Sequence, residues 1–313
     1  MLNIPPESDG IRIDRFLKDH FPEISRPEII RALDNGQIRV NGRRIIKGER
    51  VTAGSSVELN EKLAAWSHPK LLPNSSIALT VVHQDADLVI FNKPAGIPVH
   101  PLYWDETNTL ANGALARFPE LATVGSPPKE AGFVHRLDTG TSGLVVAART
   151  ATAYDAMRQL FAGDGIEKIY LGLVWGRLDG TGVIEAPIAS DGRGSPRVKV
   201  LSDPTAQVAG PARWAKTLFE VEASYLEVTL LRLTIVGAGQ RHQLRAHLAS
   251  IGHPIVGDSI YGSNQERLGL TTGRFFLHAS KLSLCHPVTG KSLVCVGPLP
   301  HDLEQCLVAA GAV

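Results

Sequence analysis

A polar turn that runs straight into an apolar segment constrains this chain more than any other stretch. Val134-His-Arg-Leu-Asp138-Thr-Gly-Thr-Ser-Gly143 leads directly into Leu144–Ala148. Five uncharged apolar residues in a row read as a buried strand. The Asp, Thr, Gly and Ser before it read as a tight turn, leaving one carboxylate, Asp138, at the mouth of that strand. Two interpretations fit: a catalytic acid on a rigid turn, or an ordinary strand connection. The stretch alone does not separate them.

The 313 residues have room for one large domain and a small one. No apolar run approaches the ~18 residues of a membrane span. Met1–Gly10 is polar and proline-containing, without the apolar centre of a signal peptide. Cys285, Cys295 and Cys306 lack paired spacing and read as reduced, buried thiols, so a cytoplasmic protein is expected. The net charge of +1 conceals an uneven distribution: Ile11 to Arg50 carries ten Lys/Arg against six Asp/Glu, a local +4, leaving −3 elsewhere. A basic module on a nearly neutral body suggests a polyanion-binding appendage.

In chain order, Ile11–His20 reads as a helix ended by Pro22. Ser25 caps a second helix with Ile29, Ile30 and Leu33 as its apolar stripe, closed by Asn35-Gly36. A strand Gln37–Val40, an Asn41-Gly42 turn, a strand from Arg43 and Val57–Leu59 complete a small unit at residues 1–60. Residues 61–76, with Pro69 and Pro73, read as a linker to a second domain at 77–313. There, strands are expected at Leu79–His83, Leu88–Asn92, Leu144–Ala148, Glu167–Trp175, Gly180–Ala186, Ala212–Ser224, Leu226–Val236, Phe275–Leu284 and Lys291–Val296. Leu230–Ile235 looks close to a fully buried run, and Asp191–Pro196 looks like a hairpin tip carrying Arg193. Helices are expected at Asn108–Phe118 and Ala151–Phe161, after Gly237–Arg245 leads into one that runs through about Ile251 with Leu244, Leu248 and Ile251 inward, and at Asp302–Ala309. This pattern is α+β: a mixed, mainly antiparallel central sheet with flanking helices, preceded by a small α/β domain.

Several motifs are excluded. Gly290-Lys291-Ser292 ends like a phosphate loop, but Cys285 stands where the earlier glycine belongs. His242 and His247 do not share a helix face as a zinc pair would, and there is no Cys-x-x-Cys. No metal, nucleotide or other cofactor is therefore expected. Asp138-Thr139-Gly140 is also the signature of an aspartic protease, whose chemistry needs a second such turn, yet the chain holds one copy.

Three stretches together resemble the RluA-type family of RNA pseudouridine synthases. They are Val82–Pro101 with Lys93-Pro94-Ala95-Gly96, His135-Arg136-Leu137-Asp138-x-x-Thr141-Ser142-Gly143-Leu144, and Gly239-x-x-His242-Gln-Leu-Arg245-x-His247-Leu followed by Gly252-His-Pro-Ile-Val-Gly-Asp258-x-x-Tyr261-Gly. Lys168-Ile-Tyr170 matches a further element. The N-terminal Arg12-Ile-Asp-Arg-Phe-Leu, Ser25-Arg26 and Gly36-Gln-Ile-Arg-Val-Asn-Gly42 resemble the alpha-L RNA-binding motif of ribosomal protein S-four. Gln240-Arg241 departs from the Gly-Arg-x-His-Gln that the family usually shows at 239–243, and Trp214 stands where threonine is common.

The resemblance implies the pseudouridine synthase fold and the isomerisation of uridine to pseudouridine without a cofactor. It implies Asp138 as the catalytic carboxylate, Tyr170 against the target base and Arg245 paired with Asp138. The target uridine would be flipped from its stack, with Arg136 taking the vacated place in the RNA. Arg26, Arg31, Arg39, Arg43 and Arg44 would face RNA phosphates. A monomer acting on structured RNA is expected, with large-subunit ribosomal RNA favoured over transfer RNA. A catalytically idle RNA-binding assembly factor is the alternative in another class. The sequence leaves open whether Asp138 attacks the sugar or takes a proton from it.

Overall fold

The computed structural model describes residues 1–67, 69–125, 128–192, 194–202, 210–262, 270 and 273–311. Arg193, expected at a hairpin tip, lies outside them. The chain divides into two units, Met1–Leu71 with Leu102–Glu106 and Leu72–Pro101 with Thr107–Val313.

The first unit contains β1 (Leu2–Asn3), α1 (Ile13–His20), α2 (Arg26–Asp34), β2 (Ile38–Val40), β3 (Arg43–Arg44) and β4 (Ser56–Leu59). Its antiparallel sheet runs β1-β4-β2-β3. Ser25 and Glu28 form a reciprocal capping box at the start of α2. At its end Gly36 adopts φ +66 and the Gln37 amide donates to Ala32 O at 3.0 Å, which closes the helix. Asn41 and Gly42 both have positive φ, as a two-residue hairpin turn requires. Ile13, Leu17, Ile29, Leu33, Ile38 and Val57 form the core. The segment expected to be a linker is partly folded into it: Glu61–Ser67 is a short 3-10 helix, and Leu63 and Trp66 are buried among those side chains. Removing this apolar surface from water overrides the weak local periodicity that suggested a tether.

In the second unit come β5 (Thr80–Gln84), β6 (Leu88–Lys93), α3 (Leu110–Arg117), β7 (Ser142–Ala148), α4 (Ala151–Ala162), β8 (Ile166–Trp175), β9 (Thr181–Ser190), β10 (Val198–Val200), β11 (Arg213–Ser224), β12 (Val228–Val236), α5 (Gln243–Ser250), β13 (Leu277–Cys285), β14 (Ser292–Val296) and α6 (His301–Ala309). One sheet runs β10-β9-β11-β12-β8-β13-β7-β6-β5, with β14 paired to β13. Among the described residues every pairing in it is antiparallel except β13 with β7. All seven residues of β7 are buried. Leu144, Val146 and Ala148 pack against Tyr154 and Met157 of α4, while Phe91 and Phe133 lie on the other side. By contrast β12 is not the fully buried run expected. Leu231, Leu233 and Ile235 are buried, but the opposite face carries the exposed Arg232, ion-paired with Glu220 and Glu222 of β11. Two further expectations are corrected. Ile251 is the C-cap of α5 and is exposed, because the helix ends before it can turn inward. Cys285 is exposed at the end of β13, its Sγ on Gly290 O.

The parallel junction fixes the entrance to β7. Ser142 pairs with His278 and Gly143 with Ala279. Gly143 has φ +116, and a Cβ there would lie 2.3 Å from Ala279 O and 2.5 Å from Ala279 N. Both contacts are to backbone, so nothing small can yield. Gly143→Ala is expected to lower stability by roughly 3 kcal/mol or more, from positive-φ strain plus overpacking. A urea midpoint equal to that of the wild type would show that β7 and β13 do not approach this closely.

Candidate active site

The Asp138 turn is closed by the Thr141 amide donating to Asp138 O at 3.0 Å. It emerges at the β13 end of β7, and Asp138 is partly exposed there. Its Oδ2 accepts from Arg245 Nη1 at 3.1 Å, and His242 Nε2 lies 3.8 Å away. Arg245 is only 4% exposed, which a lone cation would not tolerate. Its second anion is Asp258: Nε donates to Oδ2 at 2.7 Å and Nη2 to Oδ1 at 2.9 Å. Asp258 Oδ1 also accepts the Ile260 and Tyr261 amides at 3.0 and 3.1 Å. The guanidinium carbon lies 4.1 Å from the Phe275 ring centre. Burial opposes the Arg245 charge, but Asp258 and then Asp138 outweigh it and hold its pKa above the ordinary arginine value.

Helix α5 presents Arg245 to Asp138 because its other polar side chains are pinned. Gln243 Nε2 donates to Lys216 O at 3.0 Å and to Thr217 Oγ1 at 3.2 Å, and His247 Nδ1 lies 2.9 Å from Thr217 Oγ1. His242 enters the helix at φ +55, its Nδ1 3.0 Å from the Tyr261 hydroxyl. From β8, Tyr170 is buried, and burial followed by the Asp138 charge raises its phenol pKa, so the ring stays neutral. His135 is also neutral: burial, then Lys168, depresses it to about 3. Its Nε2 accepts the Val146 amide at 3.0 Å and its ring stacks on Phe161, so it ties the approach to the turn onto β7.

Asp138, Tyr170, Arg245 and Arg136 line one cavity of about 460 Å³. Arg136 is exposed, and among the described residues no hydrogen bond or ion pair engages it. A half-buried carboxylate with a fixed arginine, a neutral aromatic ring and an unengaged cation at the rim form a pocket of nucleotide-binding size.

The family model for RNA pseudouridylate synthase matches residues 87–250, and that for the S4 domain matches residues 11–57. The chain belongs to the RNA pseudouridylate synthase family. It is 37% identical to an uncharacterized RNA pseudouridine synthase of Chloroflexus aurantiacus, over 97% of this chain and 91% of that protein. It is 33% identical to the ribosomal large subunit pseudouridine synthase D of Nitrosomonas europaea, over 98% of this chain and 87% of that protein. The structure of human RNA pseudouridylate synthase domain containing 4 superimposes with a TM-score of 0.58 at 25% identity, covering 74% of this chain and 93% of that one. The protein is an RNA pseudouridine synthase with an N-terminal S4 domain.

In the S4 unit of this synthase the arginines expected at RNA have internal partners as well. Arg26 Nη2 lies 2.7 Å from Asp14 Oδ2, whose carboxylate is fully buried and also bonded to Arg12. Arg31 pairs with Asp105 and lies over the Tyr103 ring, Arg39 Nη1 donates to Gly42 O at 2.9 Å, Arg43 pairs with Glu49, and Arg44 donates to Asp34 O. Arg39 and Arg44 are cross-strand partners on β2 and β3.

Reading the sequence missed Asp258 and Phe275, which hold the Arg245 guanidinium. Asp258 had a signal, since it stands in the same motif as Arg245 and a buried arginine needs more than one shared carboxylate. Phe275 had none.

Among the described residues one cluster has metal-ligand chemistry: Asp85, Asp87 and His286 bring donor atoms within 4.8 Å of one another. It sits at the β5–β6 turn, by the Ala148 end of β7 and away from Asp138. His286 Nδ1 accepts the Val288 and Thr289 amides at 3.3 and 3.1 Å, so its proton is on Nε2, aimed at Asp85 Oδ2 at 3.1 Å. Asp85 Oδ1 caps the Asp87 and Leu88 amides. Burial opposes the Asp85 charge, but the His83 bond and these amides hold its pKa at about 2. The cluster reads as a hydrogen-bonded knot in which a metal would have to displace a proton from His286.

Proposed function

We propose that this synthase isomerises uridines of large-subunit ribosomal RNA with Asp138 as the catalytic carboxylate. One observation carries the assignment of Asp138: its carboxylate faces the cavity on one side and the buried Arg245, held in place by Asp258, on the other. The reaction breaks the bond from ribose C1′ to N1 of uracil and forms one from C1′ to C5. The proton on C5 leaves and one is placed on N1. Nothing is oxidised or reduced. Whether Asp138 attacks the sugar or removes a proton from it, it acts as the carboxylate, and the hydrogen bond from Arg245 Nη1 orients it.

In this reading the uridine is flipped out of its stack, its base lies against Tyr170, and Arg136 fills the space it leaves. The S4 unit contributes affinity through phosphates. The ribosomal substrate is supported by that unit together with relatives named for the large ribosomal subunit. We take the enzyme to be a monomer of the cytoplasm, where its three cysteines remain thiols.

Pseudouridine maps of ribosomal and transfer RNA from cells with and without the gene test the substrate. One or more large-subunit positions are expected to lose pseudouridine and regain it with the wild-type gene. Loss confined to transfer RNA would overturn the ribosomal reading.

A further inference from the structure

Beneath the turn that carries Asp138, two cations reach consecutive backbone carbonyls. Lys93, at the end of β6, is 1% exposed. Its Nζ donates to Pro94 O at 2.8 Å, Ile97 O at 2.8 Å and Thr139 O at 3.2 Å. An ammonium has three N–H donors, and these three carbonyls take them all. Arg274, just before β13, donates from Nη1 to Gly140 O at 3.0 Å and from Nη2 to Ser142 Oγ at 3.2 Å. Its Nε is anchored to Asp302 Oδ2 at 2.6 Å, in the first turn of α6.

We propose that Lys93 and Arg274 are positioning residues of pseudouridine formation, bracing Thr139 O and Gly140 O so that the Asp138 carboxylate keeps its place against Arg245. The proposal rests on Asp138 being the catalytic group. Three features take the pair beyond ordinary fold support.

The first is electrostatic. Among the described residues no carboxylate hydrogen-bonds Lys93: three backbone carbonyls take its N–H groups, a costly way to hold a buried cation, and Asp138 acts on it only through its charge. Burial and then the Arg274 charge pull its pKa down to about 7, while Asp138 pulls it up.

The second is the directed order of the hydrogen bonds. His278 Nε2 lies 3.1 Å from Gly297 O and so carries the proton, leaving Nδ1 to accept from Ser142 Oγ at 2.9 Å. Ser142 is then free to accept from Arg274, and each member of the chain has one role. The third is Phe275, next in sequence to Arg274. A Cβ on Gly140 would lie 2.7 Å from its ring, and the same ring packs on the Arg245 guanidinium. Displacing Arg274 therefore moves the turn and the arginine that faces Asp138 together. A displacement of about 1 Å at reacting groups lowers rates on the order of a hundredfold.

The test measures tritium released from C5-labelled uridine in a large-subunit ribosomal RNA transcript, with kcat and KM determined separately and unfolding followed on the same samples. Arg274→Ala and Lys93→Met are expected to lower kcat about 10- to 100-fold with KM within about threefold. Low-millimolar methylguanidinium is expected to restore much of the Arg274→Ala loss, which recovery of folded protein alone would not explain if the unfolding midpoint stays put. A folded Arg274→Ala with wild-type kcat, or a kcat loss that merely tracks the folded fraction, would overturn the proposal. Should Arg274→Ala fail to fold, Lys93→Met, which keeps the bulk of the buried stem, decides: wild-type kcat there overturns the brace. A wild-type enzyme silent on this transcript would instead count against the ribosomal substrate and leave the brace to be tested on another RNA.

Discussion

Asp138→Asn is expected to abolish pseudouridine formation while leaving the fold and RNA binding nearly intact. Asparagine has the same shape, and its carbonyl oxygen can still accept from Arg245 Nη1, now 3.1 Å from Oδ2. Arg245 keeps its bidentate partner Asp258, so no buried cation is left without an anion. What disappears is the negative charge that either route needs, as nucleophile at C1′ or as base toward the sugar. Loss of such a group lowers kcat by at least about a thousandfold. RNA affinity should change by less than about threefold, since the net positive charge of the protein only rises. Tritium release and filter binding on one transcript measure both. Activity within tenfold of wild type would remove Asp138 from the catalytic role.

Much of this arrangement is legible in the sequence, for reasons that differ between elements. The turn before β7 is readable because a tight polar turn and an all-apolar strand are adjacent, and Gly143 marks where two backbones meet. Helix α2 is readable because its cap and stop are local signals: Ser25 with Glu28, and Gly36. Leu63 and Trp66 are not readable as core, since the segment lacks a period and its burial depends on partners far along the chain. The same holds for β12. Its composition suggests burial on both faces, yet only one face is fully covered and the other opens at Arg232, a property of the sheet rather than of the strand.

At the site, residue types are legible but distances in space are not. Arg245 reads from its motif as the partner of Asp138, whereas its burial does not, because α5 is polar at Gln243, Arg245 and His247 and looks half-exposed. Each of those side chains is spent on β11 or on an acid, which periodicity cannot register. Arg274 and Phe275 follow a stretch with no motif at all, and only the parallel contact of β13 with β7 brings them to the turn.

Asp258→Asn should damage both stability and rate, and the pattern separates its role from that of Asp138. Asp258 does not line the cavity and acts through Arg245. Its loss leaves a cation that is 4% exposed with one shared carboxylate at 3.1 Å, and breaking a buried pair in this way costs about 3–5 kcal/mol. A smaller urea midpoint with unchanged slope is the expected sign. Arg245 would also turn about its side chain, since the two bonds that fix its plane, at 2.7 and 2.9 Å, are the ones removed. The carboxylate it orients would drift, and kcat should fall on the order of a hundredfold with little change in KM. Adding Arg245→Met supplies the decisive comparison. With both partners of the buried pair gone, no charge is stranded, and part of the lost stability should return. Activity should not, because Asp138 then lacks the only guanidinium bonded to it among the described residues. If the double variant regains rate as well as stability, Asp258 serves the fold alone.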